Sequence, residues 1–333
     1  MMRRNSRGVT RRRSLAALAV AAIALLPAWA RADYPEKVIT LISGFAPGGS
    51  TDIIARALAP AMSQLLGVPV IVDVKAGAAG IVGADFIAKA KPDGYTFLVT
   101  TSSPMAILPH TSENPLPYDA QKDITGISLI GITPEVLAIN NKVPAKNLKE
   151  LVELAKTRQV TIGSSGTGGL PHLVIELLRN STPNAKILHV PFKSAAPALT
   201  DTLGGHVDGI FVDLPALYVQ IKENALHGIA VANERRSEFL PDMPTTVEQG
   251  FPGVIGVNWS GLFAPANTPK PIIDKVHAAL LAAMKTDPVK KVLAGAAVEP
   301  SVSATPADFQ KFIAAEYDKW GKVAKDAGLA QKR

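Results

Sequence analysis

Short β-branched segments alternate with helical patterns along most of the chain, and no other feature constrains the fold as strongly. The segment 38–42 precedes a helical pattern at 50–66, and a second series of the same kind begins near Gly131. The last predicted helix has a clear start, with Thr305 as its cap and Pro306 at its first position. Such alternation is typical of a parallel or mostly parallel sheet covered by helices. The sequence therefore predicts an α/β fold.

The first 32 residues have the composition of a secretory signal. Six arginines within residues 3–13 precede an apolar run at 15–26, and small residues follow up to Ala32. A transmembrane helix needs about 20 consecutive apolar residues, and this run is shorter. We expect residues 1–32 to be removed and the mature protein to begin at Asp33 in the periplasm. Because the leader contains three consecutive arginines, the signal can be of the general or of the twin-arginine type.

The charge of the mature chain excludes one class of partner. Residues 1–32 carry seven of the 35 lysines and arginines and none of the 28 acidic residues, so 28 basic residues face 28 acidic ones in the remainder. A formally neutral chain lacks the basic surface that nucleic acid requires. The chain also has no cysteine, which excludes disulfides and thiolate metal sites. We expect no metal, no cofactor and no nucleic acid.

Two glycine-rich turns, at 45–52 and 164–172, each connect a predicted strand to a predicted helix. Backbone N–H groups at such a turn, and at the start of the helix that follows, favour an anion. Neither turn matches the P-loop motif G-x-x-x-x-G-K-[ST] or the dinucleotide motif G-x-G-x-x-G. The turns therefore indicate a site for a small anion rather than a nucleotide, with an ordinary capped turn as the alternative for each one alone.

Motifs of enzymes are not found in the sequence. Residues 163–167 depart from the nucleophile-elbow motif at Thr167, and no H-E-x-x-H motif occurs. His172 could orient a ligand or only a loop, and Asp213 could reach a cleft or only cap the next helix. An exported serine hydrolase that uses Ser165 and His172 stays an alternative, although no motif supplies the orienting acid that such an enzyme needs.

Several segments together resemble the substrate-binding proteins of tripartite tricarboxylate transporters, the Bug or TctC-like family. They include FAPGGSTD at 45–52, KPDGYT at 91–96, VPFK at 190–193 and LGGHVD at 203–208. The resemblance covers essentially the whole mature chain. The sequence departs from the usual pattern of the family at four positions, which are Val74, Ala76, Ala79 and Ser194.

The resemblance implies a two-lobed periplasmic-binding-protein architecture of the Venus-flytrap, type II-like kind, without catalysis. We expect one lobe to contain residues 33–132 and 258–333 and the other to contain residues 133–257. It also implies that a small organic carboxylate is held between the lobes and passed to a two-subunit membrane transporter. A sensor that presents the same ligand to a receptor is an alternative, and we expect a monomer.

The expected ligand-binding residues fall into two groups. By resemblance, both glycine turns hold one ligand carboxylate, largely through backbone groups and ordered water. The residues of these turns are Phe45, Gly48, Gly49, Ser50, Thr51, Asp52, Ser164, Ser165, Gly166, Thr167, Gly168 and His172. We expect residues on other loops to recognise the remainder of the ligand, and these are Ser102, Ser103, Ala195, Ala196 and Asp213.

Overall fold

Strands and helices alternate along the chain in the computed structural model, which describes residues 34–326 and 328–330. The predicted signal at 1–32 lies outside the described residues. Of the unit formed by Met1–Glu36, the structure describes residues 34–36 alone, and these contain a bend at Tyr34. Residues from Lys37 onward form a second unit, which contains all of the elements below.

The described residues contain ten strands and ten α-helices. The strands are β1 Ile39–Ser43, β2 Val70–Val74, β3 Thr96–Thr101, β4 Ile124–Ile139, β5 Val160–Ser164, β6 Ile187–Pro191, β7 Gly209–Asp213, β8 His227–Val231, β9 Val257–Pro265 and β10 Glu299–Pro300. The helices are α1 Ser50–Leu66, α2 Ile81–Ala88, α3 Leu108–Thr111, α4 Leu148–Thr157, α5 Leu170–Ser181, α6 Ala195–Gly204, α7 Leu214–Lys222, α8 Lys270–Ala283, α9 Asp287–Gly295 and α10 Pro306–Asp326. A short 3₁₀ turn at Ala78–Gly80 precedes α2, and a π-helical turn at Ser103–Ile107 precedes α3.

Two groups of parallel strands lie on either side of an antiparallel centre. Strand β1 pairs in parallel with β2 and β3, and β5 pairs in parallel with β6 and β7. Strand β9 lies antiparallel between β3 and β4, and β4 lies antiparallel to β7. The order along the sheet is therefore β2-β1-β3-β9-β4-β7-β5-β6, and β8 and β10 also pair with β4.

Strand β4 is longer than the sequence indicates and changes partner along its length. Its residues up to Pro134 pair with β9, and its residues from Glu135 onward pair with β7. Glycines interrupt its apolar pattern because other elements pack directly on them, namely helix α10 on Gly126 and residues Val298 and Glu299 on Gly131. A Cβ atom at Gly126 would lie 2.7 Å from Phe309 Cδ1. The alternation of the sequence predicts the two parallel groups, but it does not predict the antiparallel strands between them.

The final helix packs on the antiparallel centre of the sheet. Its start is confirmed: Thr305 Oγ1 accepts a hydrogen bond from the Asp308 N–H at 3.1 Å and donates one to Asp308 Oδ2 at 2.7 Å. Thr305 therefore caps the helix through its hydroxyl oxygen. Phe309 and Trp320 of α10 are buried, and Phe309 packs against Trp259 with ring centroids 6.0 Å apart. Helix α10 therefore covers the centre of the sheet, and the lobe to which it belongs stays a prediction.

The boundaries of the two lobes stay a prediction. They are 33–132 with 258–333 for one lobe and 133–257 for the other, and they lie beside the point where β4 changes partner and the start of β9. Within the described ranges, every helix is too short or too polar to cross a membrane.

Candidate functional site

The starts of several helices meet at one small pocket, part of which is open to solvent. Eleven residues from both halves of the sheet line this pocket, and most of them lie where a strand ends or a helix begins. They are Phe45, Gly49, Ser50, Thr101, Ser103, Glu135, Ser165, Pro171, Ala195, Asp213 and Asn258. None of these lining residues is a lysine, an arginine or a histidine.

Four helices begin at the pocket, and in the described structure none of them is capped by the side chain of its own N-cap residue. These helices are α1, α5, α6 and α7. The first N–H groups of a helix have no acceptor within the helix, and the helix dipole adds a partial positive charge there. In α1 the first intrahelical hydrogen bond is donated by the Ile53 N–H to Gly49 O, so the amide of Ser50 precedes the hydrogen-bonded ladder. The pocket is therefore suited to an anion.

The first glycine turn is held by Asp52. The Gly48 N–H donates to Asp52 Oδ2 at 3.0 Å, and Arg56 Nε donates to Asp52 Oδ1 at 2.8 Å. Gly48 adopts a φ of 82°, which favours glycine. Thr51 is buried, with its Oγ1 2.9 Å from Ser43 Oγ. Asp52 and Thr51 therefore shape the turn, while Gly49 and the start of α1 reach the pocket.

The second glycine turn is held by two histidines. The Gly168 N–H donates to His172 Nδ1 at 2.9 Å, so Nε2 carries the proton when His172 is neutral, and Nε2 lies 3.4 Å from Glu176 Oε1. The ring of His172 stacks on His189 with centroids 3.9 Å apart. Ser164 Oγ lies 2.6 Å from His189 Nε2, and burial, followed by the charge on His172, lowers the pKa of His189 to about 3. These two stacked histidines support the turn from behind.

The second turn also packs closely against residues 78–111. The Leu170 N–H donates to Ser103 Oγ at 3.0 Å, and Thr111 Oγ1 donates to the Gly168 carbonyl at 2.6 Å. A Cβ atom at Gly166, where φ is 141°, would lie 2.7 Å from the Cβ of Ala79. Glycine is therefore required at residue 166 by both its conformation and the space available.

Seven of the seventeen predicted ligand-binding residues line the pocket: Phe45, Gly49, Ser50, Ser103, Ser165, Ala195 and Asp213. The other ten support or flank it. Gly166 donates its N–H to Ser164 Oγ at 3.3 Å, and Ser102 Oγ donates to Asn258 Oδ1 at 2.7 Å. Thr167 is exposed and Ala196 is half-buried. The remaining five are the buttressing residues described above, namely Gly48, Thr51, Asp52, Gly168 and His172. The direct ligand contacts stay a prediction.

Four lining residues were not predicted from the sequence, namely Thr101, Glu135, Pro171 and Asn258. Pro171 lies inside the second predicted turn. Glu135 had a usable signal, since it is the one charged residue of strand β4. Asn258 reaches the pocket through a contact with Ser102 that spans 156 positions in the sequence, and no local pattern indicates such a contact.

Glu135 and Asp213 form a buried pair of carboxyl groups in the pocket wall. They stand directly opposite each other on β4 and β7, and their exposed fractions are 0% and 7%. Burial raises the pKa of Glu135 well above its ordinary value, and the charge of Asp213 raises it further. Burial also raises the pKa of Asp213, although a hydrogen bond from the Ser50 side chain opposes this. Among the described residues, no group hydrogen-bonds to Glu135 Oε1, Glu135 Oε2 or Asp213 Oδ2.

Comparison with known proteins identifies the family of this chain. Residues 54–329 match a family model described as the tripartite tricarboxylate transporter family receptor. The BugT protein of Bordetella pertussis is 34% identical over 301 residues, which cover 90% of this chain and 92% of BugT. These matches confirm the resemblance to Bug and TctC-like proteins.

Solved structures extend the likeness to the fold. A Rhodopseudomonas palustris protein determined with adipate is 31% identical, with a TM-score of 0.84 over 90% of this chain and 100% of that one. MatC from the same organism, determined with bound malate, is 28% identical, with a TM-score of 0.81 over 87% of this chain and 99% of MatC. The expected fold class is confirmed: the protein has the α/β fold of the periplasmic binding proteins of this family.

Replacing Glu135 with glutamine should stabilise the protein by an amount that increases with pH. The folded state retains the Glu135 proton to a higher pH than the unfolded state, because the pKa of the folded form is raised. The wild-type protein therefore loses stability as the pH rises from the unfolded pKa towards the folded one. Glu135→Gln removes this loss, so we expect its Tm to exceed that of the wild type more at pH 8 than at pH 5.

Thermal unfolding of both proteins across this pH range measures the effect. The matched control is Glu223→Gln, at an exposed glutamate, whose Tm should follow the wild type at both pH values. An equal Tm difference for Glu135→Gln at pH 5 and pH 8 would contradict the raised pKa.

Proposed function

Because the chain belongs to the family of tripartite tricarboxylate transporter receptors, we propose that it is an exported periplasmic protein that binds a small organic carboxylate. It delivers this ligand to a two-subunit membrane transporter and acts as a monomer. The observation that carries the proposal is the meeting of four uncapped helix starts at one pocket. The leader is removed near Ala32, in agreement with its arginine-rich and apolar composition.

The pocket can hold a carboxylate without a cationic side chain. Oriented N–H groups at a helix start stabilise an anion through hydrogen bonds and the helix dipole together. Hydrogen bonds to an ionised group are roughly twice as strong as neutral ones. The adipate and malate held by the two Rhodopseudomonas palustris proteins support a carboxylate as the ligand here.

We place the ligand carboxylate between the start of α1 and the second glycine turn. The amide groups of Gly48, Gly166 and Gly168 already donate to Asp52, Ser164 and His172, so they position the turns. The ligand is then held by the N–H groups at the start of α1, by the Ser165 hydroxyl and by ordered water. The proposed site is the one predicted from the sequence, but fewer of its amide groups donate directly to the ligand than the sequence suggested.

Ligand binding favours a closed arrangement of the two proposed lobes. The second turn already contacts residues of the first series through Leu170 to Ser103 and Thr111 to Gly168. A carboxylate that contacts both sides would stabilise this arrangement over an open one, as a population shift requires. A transport receptor and a sensor would bind the ligand in the same way. The family to which the chain belongs favours the role of a transport receptor.

Catalysis does not form part of the proposal. A hydrolase would need His172 to accept a proton from Ser165. In the described structure His172 Nδ1 accepts a hydrogen bond from the Gly168 N–H, and its Nε2 points to Glu176. Both ring nitrogens of His172 are therefore committed to supporting the turn.

A thermal-shift screen with mono-, di- and tricarboxylates tests the proposed function. A bound carboxylate present at 100 times its Kd should stabilise the folded protein by about 2.7 kcal/mol, which raises the Tm by several degrees. Each amide analogue is the control, because it keeps the shape and lacks the charge. If no carboxylate raises the Tm more than its amide does, the proposed function is wrong.

Gly49→Val should weaken carboxylate binding at least tenfold, which corresponds to about 1.4 kcal/mol. Gly49 has a φ of −81°, so valine is compatible with its backbone, and the new Cβ would lie 3.3 Å from the carbonyl oxygen of Ala46. The side chain would occupy the pocket at the start of α1. Isothermal titration measures the Kd.

The control for this substitution is Gly295→Val, at the exposed end of α9. An added Cβ there meets no atom within 4 Å, so affinity and fold should both be retained. Unchanged affinity in a correctly folded Gly49→Val protein would place the anion elsewhere.

A further inference from the structure

We propose that Glu135 and Asp213 form a subsite for an ammonium group, so that the ligand is a small amino-carboxylate with separated opposite charges. This inference rests on the proposed function, since the same ligand must place its carboxylate at the helix starts. It names the substrate class more narrowly than the family does.

The first step is the number of unsatisfied acceptors in the pocket wall. Glu135 is fully buried, and neither of its carboxylate oxygens has a hydrogen-bond partner among the described residues. Asp213 Oδ2 is in the same state, while the Ser50 side chain hydrogen-bonds to the Asp213 carboxylate. Three acceptor atoms of two facing side chains are therefore unoccupied. A primary ammonium has three N–H donors, which matches this number.

The second step concerns the charge that could neutralise these carboxylates. Buried ionised groups are strongly unfavourable unless they are paired. The lining residues of the pocket contain no lysine, arginine or histidine, so the protein supplies no cation there. Glu135 instead packs its aliphatic part towards Gly256, where an added Cβ would lie 3.2 Å from Glu135 Cγ. Without a cation, the raised pKa of Glu135 keeps this carboxyl protonated, and a ligand ammonium can take the place of that proton.

The third step excludes other ligand groups. A second carboxylate would meet three unoccupied acceptor oxygens and no cationic side chain among the lining residues, and a hydroxyl would satisfy only one of the three oxygens. A metal ion usually requires more protein ligands, and the described residues contain no cluster of three or more acidic, histidine or cysteine side chains suited to one. An organic ammonium fits both the charge and the donor count.

The fourth step joins the two ends of the site. The start of α1 and the Glu135–Asp213 pair line the same pocket, so electropositive amides and electronegative carboxyls face one ligand. Ser50 links them, because it opens α1 and its side chain hydrogen-bonds to Asp213. A zwitterion satisfies both ends at once, whereas a simple dicarboxylate satisfies only one.

A panel of matched ligands tests this subsite by isothermal titration. The amino-carboxylates are glycine, β-alanine, 4-aminobutyrate and 5-aminovalerate, and the matched compounds replace the amine with methyl, hydroxyl or carboxylate. We expect the best amino-carboxylate to bind at least tenfold more tightly than each of its matched compounds. Glu135→Gln and Asp213→Asn should each weaken that ligand at least tenfold, and Glu135→Gln should also improve the binding of succinate or glutarate relative to wild type.

Controls separate the possible failures. Both variants are nearly isosteric, their fold is checked by circular dichroism, and the exposed Glu223→Gln should bind as the wild type does. If succinate or glutarate binds more tightly than its amino analogue, or if Glu135→Gln leaves the ranking unchanged, the ammonium subsite is overturned and the proposed function stands. If no carboxylate of any kind binds, the proposed function is overturned together with the subsite.

Discussion

The pairing of strand β4 with two different neighbours determines where the site lies. Up to Pro134 the strand is antiparallel to β9, and from Glu135 onward it is antiparallel to β7. One continuous strand thereby connects both groups of parallel strands, which come from the two halves of the sequence. Glu135, the first residue of the second pairing, also lines the pocket. Glu135 therefore belongs both to the sheet, where β4 changes partner, and to the wall of the pocket.

Around this junction the protein brings together groups that are unfavourable without a ligand. Uncapped helix starts leave donors without intrahelical acceptors, and the Glu135–Asp213 pair leaves buried acceptors without donors. The unpaired donors and the unpaired acceptors lie in the same pocket, where the donors are electropositive and the acceptors are electronegative. The protein stays folded because the cores of both strand groups are extensively packed, with Trp259, Phe263 and Phe211 fully or nearly fully buried. Unsatisfied groups of this kind are what a complementary ligand can satisfy.

The sequence predicts much of this arrangement where the signal is local. The two glycine turns and the start of α10 at Thr305 depend on neighbouring residues, and their short-range patterns are visible in the chain. The length of β4 was missed because glycines such as Gly126 replace apolar residues where α10 packs. Asn258 was missed because its position depends on pairing between strands far apart in the sequence. Glu135 shows the same limit, since only the structure places Asp213 opposite it.

The turns themselves indicate how the site can bind without large rearrangement. Their amide groups are largely satisfied within the protein, as with Gly48 on Asp52 and Gly168 on His172, so the turns are already in one conformation. The helix starts supply the remaining donors in directions that the helices fix, which reduces the ordering cost of binding. Helix α5 uses its first amide differently, because the Leu170 N–H donates to Ser103 Oγ in the pocket wall. One end of the second turn thus joins the two sides of the pocket while the start of α1 stays available to the ligand, so the contact between the two sides and the recognition of the ligand do not compete for the same donor.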